Sequence, residues 1–215
     1  NASISFDQKF YKEDIERNLT EHEKSGKEAL DYLDHSTAKY KGKTIYSLYV
    51  PKILNVETKE RFQYIAETMT GIMRKVIAAY QKDAQYRSLF GFSKRAEELI
   101  LQDPLYENLL PVCRVDIFYN ETDGSFYFCE LNTDGSSSMN EDRELCKAFE
   151  KTQLYRNLSL KYEICGFELF DSLVQAFMEN YQTYPYKVEK PNVAIVDFLE
   201  LGCSMEEFEQ YKSVL

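Results

Sequence analysis

The stretch from Pro111 to Met139, PVCRVDIFYNETDGSFYFCELNTDGSSSM, constrains this chain more than any other. Two runs rich in β-branched and aromatic residues flank a turn-forming Asp123-Gly124, the pattern of a β-hairpin. Residues two apart on a strand share a face, so Arg114 and Asp116 point together, and so do Glu130 and Asn132. Whether the two pairs meet depends on the parity of the turn. A three-residue loop, Thr122-Asp123-Gly124, closed by a left-handed glycine, sets Asp116 opposite Glu130 and Arg114 opposite Asn132. A two-residue Asp123-Gly124 loop shifts the register by one and sends the pairs to opposite faces.

Such a hairpin needs a core to rest on, and 215 residues suffice for one large domain or one and a half. Twenty-six basic against 36 acidic residues, a net charge of −10, argue against a nucleic-acid backbone as partner, because phosphate tracking needs an excess of Lys and Arg. No run approaches the ~18 apolar residues of a membrane-spanning helix, and no signal-peptide pattern opens the sequence. The five cysteines, Cys113, Cys129, Cys146, Cys165 and Cys203, have no C-x-x-C spacing and read as reduced thiols of a cytoplasmic protein. Alternation turns Cys113 and Cys129 away from the polar quartet, toward a buried face.

The periodicity divides the chain into a helical N-terminal segment (1–43), a helix-rich part carrying the hairpin (44–186) and a C-terminal strand–helix unit (190–215). The first segment reads as a solvent-facing helix pair over 6–33, interrupted near Ser25-Gly26, with His22 and His35 solvated. Thr44 to Val50 reads as a short strand. Glu57 to Lys82 is the clearest helix: Phe62, Ile65, Ala66, Met69, Met73, Val76, Ile77 and Tyr80 make one apolar stripe, expected to pack in a core. Shorter helices are predicted over Ser93–Gln102, Asn140–Tyr155 and Glu163–Tyr181. Val193 to Phe198, VAIVDF, reads as a buried parallel strand feeding a helix over Met205–Leu215, the opening of a Rossmann-like unit. One such unit cannot cover its own sheet, so further chain is expected after Leu215. The fold class expected is α+β, with helices packed on an antiparallel sheet that contains the hairpin.

With the pairs converged, Asp116, Glu130 and Asn132 offer hard oxygen ligands of the kind Mg²⁺ prefers, completed by waters and substrate phosphates. Arg114 beside them suits a carboxylate, an oxyanion or a phosphoryl oxygen. The loop from Thr133 through Asp134, Gly135, Ser136 and Ser137 to Ser138 adds hydroxyls and permissive backbone. Two other readings compete. One is a plain cross-strand ion pair on a non-catalytic binding module. The other is a Mg²⁺-dependent nuclease, opposed by Asn132 where that chemistry needs Lys and by the acidic balance.

R-x-D on one strand, E-x-N on the next and an Asp and serines in the loop resemble the glutathionylspermidine synthetase family of ATP-grasp ligases, over Arg114–Ser138. The resemblance implies a circularly permuted ATP-grasp domain followed by a Rossmann-like pre-ATP-grasp region, in the order seen here. It implies that Asp116, Glu130 and Asn132 bind Mg²⁺ with ATP, that Arg114 stabilises the phosphorylated carboxylate, and that Ser137, with Asp134 and Ser136 beside it, touches the substrate. The partners implied are a small-molecule or peptide carboxylate and an amine, either a polyamine or an amino acid. Two features depart from the family pattern: the hairpin is about two residues longer, and Gly135 stands where a substrate-contacting Ser is expected. No Gly-rich ATP-cradling loop with a following Lys occurs in the chain, so these residues alone are expected to lack ligase activity.

Overall fold

A computed structural model describes residues 8–133, 138–198 and 205–215. It is an α+β arrangement of helices with two small antiparallel sheets. The first helices are α1 (Gln8–Arg17) and α2 (Leu19–His35), followed by the two-residue strands β1 (Lys39–Tyr40) and β2 (Lys43–Thr44). Three helices come next: α3 (Val56–Lys82), α4 (Ala84–Ser88) and α5 (Lys94–Ile100). The hairpin β3 (Arg114–Tyr119) and β4 (Phe126–Asn132) leads to α6 (Met139–Glu150), α7 (Gln153–Ser159), α8 (Phe170–Gln182) and α9 (Met205–Val214).

The core lies where α2 packs on α6 and α7. Ala29, Leu33, Ala38 and Ala148 form one cluster with Tyr32, Ile45 and Leu145 against it. Tyr11, Leu154 and Leu158 form a second, covered by Phe10, Tyr49, Val50 and Phe149. A buried carboxylate stitches the first cluster. Glu144 accepts from the Tyr32 hydroxyl (2.6 Å) and Lys147 Nζ (2.9 Å), with Arg143 Nε 3.3 Å away. Burial alone would push the Glu144 carboxyl up, but Tyr32, Lys147 and Arg143 outweigh it and hold the group below its ordinary range.

Local chemistry sets the helix ends. Asn55 caps α3 by accepting from Thr58 N, Asp83 caps α4 from Gln85 N and Tyr86 N, and Ser93 caps α5 from Ala96 N as the sequence suggests. The break between the first two helices falls at Asn18, the N-cap position of α2, and not at Ser25-Gly26. Those two residues sit inside α2 because they are its contact face. A Cβ on Gly26 would come within 3.4 Å of the Tyr49 ring, and the Ser25 hydroxyl accepts from Gln153 N at 2.8 Å. His22 is likewise buried rather than solvated. Its Nδ1 lies 2.7 Å from the Tyr49 hydroxyl and its Nε2 lies 3.4 Å from Asp14 Oδ2, while Asp14 also accepts from Asn157 Nδ2. His35 is exposed as expected.

Other sequence expectations need correction. Thr44–Val50 pairs only at Lys43–Thr44, and Tyr49 and Val50 turn into the second cluster instead of a sheet. Asn140–Tyr155 divides in two at Thr152, whose side chain caps α7. The helix predicted from Glu163 starts at Phe170, and its Phe170 and Leu173 are buried while Phe167, Phe177 and Met178 are not. Val193–Phe198 forms no strand: it has no ladder partner among the described residues, and Val196 is 89% exposed. A parallel strand is stable only between neighbours, so apolar sequence alone does not make one. The stripe of α3 is half-covered, with only Ile65 and Tyr80 of its members buried. The molecule exposes 15581 Å², against about 10,300 Å² for a compact monomer of its mass.

Two measurements check this core. Leu154→Ala and Leu158→Ala each cost about 2–5 kcal/mol in urea unfolding, whereas Leu160→Ala, on an exposed side chain, stays within about 0.5 kcal/mol. Because the Glu144 carboxyl is held low, its contribution is present above the ordinary Glu pKa and lost as pH falls through the folded value. Tyr32→Phe removes the strongest of the bonds holding it low, so acid unfolding followed by circular dichroism begins at a higher pH.

Candidate functional site

The hairpin brings the quartet together. Arg114 pairs with Asn132, and Asp116 with Glu130. The pairing anticipated from a three-residue turn is reached by another route. Asn120 N donates to Ser125 O and Gly124 N to Asn120 O, so the loop holds four residues, Glu121 to Gly124. Asn120 Oδ1 accepts from Thr122 N and Asp123 Oδ1 from Ser125 N, and Gly124 takes φ +71°, the left-handed geometry foreseen for it. From this loop Tyr119 faces Phe126 and Ile117 faces Phe128. Continued regularly, that ladder would set Asp116 opposite Cys129. Instead Cys129 is an extra residue, a bulge, and Glu130 and Asn132 come back to the face of Asp116 and Arg114. Cys129 is exposed in consequence, against the expectation of burial, and Cys113 is half-buried. The four described cysteines are free thiols; Cys203 lies outside the described residues.

The helix α3 supports this hairpin. The Phe62 and Tyr119 rings meet edge to face at 4.9 Å, and Thr70 Oγ1 lies 3.9 Å from Cys113 Sγ. A Cβ on Gly124 would touch the Arg61 guanidinium at 3.4 Å, and Lys52 bonds Glu121 in the loop. Two strands alone are only marginally stable, so these side contacts hold the site in place.

Within the quartet, the Arg114 guanidinium grips the Asp116 carboxylate with both arms, Nε to Oδ1 at 2.8 Å and Nη2 to Oδ2 at 3.1 Å. The Asn132 amide donates to Glu130 Oε1 at 3.1 Å. Arg114 thereby holds the Asp116 carboxyl below its ordinary range, and Asp116 in turn raises the guanidinium. Asp116 is therefore ionised at neutral pH and well into acid.

The donor chemistry suits a hard cation: two carboxylates and an amide oxygen on one open face. A cation placed here would have to share Asp116 with Arg114, whose two arms each leave one lone pair free on a carboxylate oxygen. Among the described residues no group of three or more His, Cys, Asp or Glu side chains could hold a metal ion. Asp134, Ser136 and Ser137 lie outside the described residues. Phe118 opposite Tyr127 extends the same face toward the turn, and both are exposed. Alternation in the sequence gives their side of the sheet but not their exposure.

No family model, curated protein or solved structure matches this chain. No helix among the described residues is long and apolar enough to cross a membrane.

The ion pair gives a direct check. Replacing Arg114 with Met moves the Asp116 carboxyl titration up toward the ordinary Asp range, readable in its side-chain carbon shift. An unchanged titration would mean that the two-armed bond is not made in solution.

Proposed function

We propose that this chain carries the metal- and acyl-binding part of an ATP- and Mg²⁺-dependent carboxylate–amine ligase, similar to the glutathionylspermidine synthetases. On this reading the helices and hairpin belong to an ATP-grasp-like domain; the pre-ATP-grasp unit expected over 190–215 has no support from Val193–Phe198, which forms no strand. The observation that carries it is the convergence of Arg114, Asp116, Glu130 and Asn132 on one hairpin face, through a bulge placed at the residue before Glu130.

The chemistry asked of such a site is simple to balance. A carboxylate oxygen attacks the γ-phosphorus of ATP, ADP leaves, and an acyl-phosphate forms. An amine then attacks the acyl carbon, loses a proton, and inorganic phosphate departs with the acyl–oxygen bond electrons. The cation, when bound, neutralises charge along the phosphates. Asp116, Glu130 and the Asn132 amide oxygen would hold it, and the Asn132–Glu130 bond orients both of those side chains. Arg114 has a second task. Its guanidinium, anchored on Asp116, is set to face the negative charge that develops at the acyl centre. The substrates are a small-molecule or peptide carboxylate and an amine, with Ser137, Asp134 and Ser136 assigned to the substrate by the family pattern. The reduced thiols suit a cytoplasmic setting.

The runner-up, a non-catalytic module whose hairpin charges simply pair with one another, draws on the two-armed Arg114–Asp116 bond, which lies within β3 rather than across the strands and satisfies both groups without a ligand. Calorimetric titration with Mg·ATP separates the two. Glu130→Ala and Asn132→Ala each weaken binding about tenfold or more on the ligase reading, in line with loss of a metal ligand or its orienting partner. Binding that is absent from the wild type, or indifferent to both substitutions, would sink it.

A further inference from the structure

The helix after the hairpin begins without a cap of its own. Ser138 stands at the N-cap position of α6 with φ +85°, and its side chain makes no capping bond. The carboxylate that does this work comes from α9, 67 and 68 residues along the chain. Glu207 Oε1 accepts from Met139 N at 3.0 Å and from Asn140 N at 3.4 Å. Glu207 is 2% exposed, an unusual depth for a carboxylate, and the first-turn amides of α6 help to stabilise it there, together with the Tyr211 side chain of its own helix.

The same point is tied from two other directions. Asn140, also buried, donates from Nδ2 to Thr37 O at 2.8 Å and accepts at Oδ1 from the Thr37 hydroxyl at 3.2 Å. Arg143 Nη2 donates to both Asn140 Oδ1 (3.0 Å) and Gln210 Oε1 (2.6 Å), and its guanidinium covers the Phe170 ring at 4.5 Å. Thus α9 is bonded to α6 by two residues one helical turn apart, Glu207 and Gln210. The joint is also costly: Glu141 Oε2 is buried without a hydrogen-bond partner among the described residues, and burial, with the charges of Glu207 and Glu206, pushes that carboxyl up.

We propose that Glu207 is a positioning residue for the hairpin. By capping α6 from the C-terminal helix it fixes where the chain that leaves Asn132 re-enters the fold, and so steadies Glu130 and Asn132 without touching them. Its functional sense rests on the ligase reading, but its test does not need a ligand.

The experiment is amide hydrogen exchange by NMR on Glu207→Ala, Glu207→Gln and Leu173→Ala. The last is a buried α8 residue whose loss lowers stability without removing the cap. Glu207→Ala should speed exchange about fivefold at Met139 and Asn140, the fold-change of a lost helix cap, and measurably at Leu131 and Asn132. Glu207→Gln, which keeps an acceptor oxygen, should restore part of it. Leu173→Ala, compared at a urea concentration giving the same global stability, should leave Leu131 and Asn132 unchanged. Acceleration that stops within α6, or that Leu173→Ala reproduces at β4, would overturn the proposal. A wild type that binds no Mg·ATP would remove the ligase reading and leave this result to stand or fall on exchange. Where Mg·ATP does bind, Glu207→Ala weakens it in parallel with the exchange at Asn132.

Discussion

Side chains alternate along a strand, so the register of a hairpin decides which of them can ever meet. In β3–β4 a four-residue loop sets one parity near the turn, and the inserted Cys129 reverses it before Glu130. Every chemical statement about the quartet depends on that reversal. Without it Arg114 and Asp116 would look one way and Glu130 and Asn132 the other, and the face would hold one cation and one anion with no further donors. A bulge also sharpens the local twist of the strand that carries it, which directs the Glu130 and Asn132 side chains rather than merely changing their side.

The hairpin depends in turn on a modest core. The α2, α6 and α7 helices bury small and aliphatic residues around Leu154 and Leu158, and buried polar side chains beside them, Ser25 and Glu144 among them, are hydrogen-bonded. Tyr32 reaches Glu144 across 112 residues of sequence, and Asn157 reaches Asp14 across 143. Such long-range polar bonds specify which helix faces meet, something apolar contacts alone leave loose. Away from this centre the apolar faces of α3 and of Val193–Phe198 remain largely open.

Much of this was legible in the residues. The α3 helix, the Ser93 cap and the left-handed Gly124 follow from local patterns whose causes are local. The pairing of Asp116 with Glu130 was legible too, although by a turn that does not form. Loop length and bulge are each off by one from the simplest hairpin and cancel, and no pattern in NETDGSFYFCE announces a bulge at Cys129. The errors share one source. His22, Ser25 and Val193–Phe198 were read from their neighbours in sequence, whereas Tyr49 and Gln153 bury the first two and a missing ladder leaves the third exposed. Glu207 is the same lesson in reverse: an ordinary acidic residue in an acidic helix becomes a cap only because α6 lacks one.

The charges of the quartet bear on how a cation would arrive. Arg114 contributes one positive charge, Asp116 and Glu130 two negative ones, and the guanidinium already occupies one lone pair on each Asp116 oxygen. A bare divalent ion would meet a weakly negative, open site with a fixed cation beside it, a poor exchange for its hydration shell. The same ion carried on a triphosphate would bring its own negative charge, favourable beside Arg114, while Asp116 and Glu130 would still have lone pairs to offer. On the ligase reading, then, Arg114 does more than serve the acyl centre. By neutralising part of Asp116, it makes the site prefer the metal–nucleotide complex over either component alone.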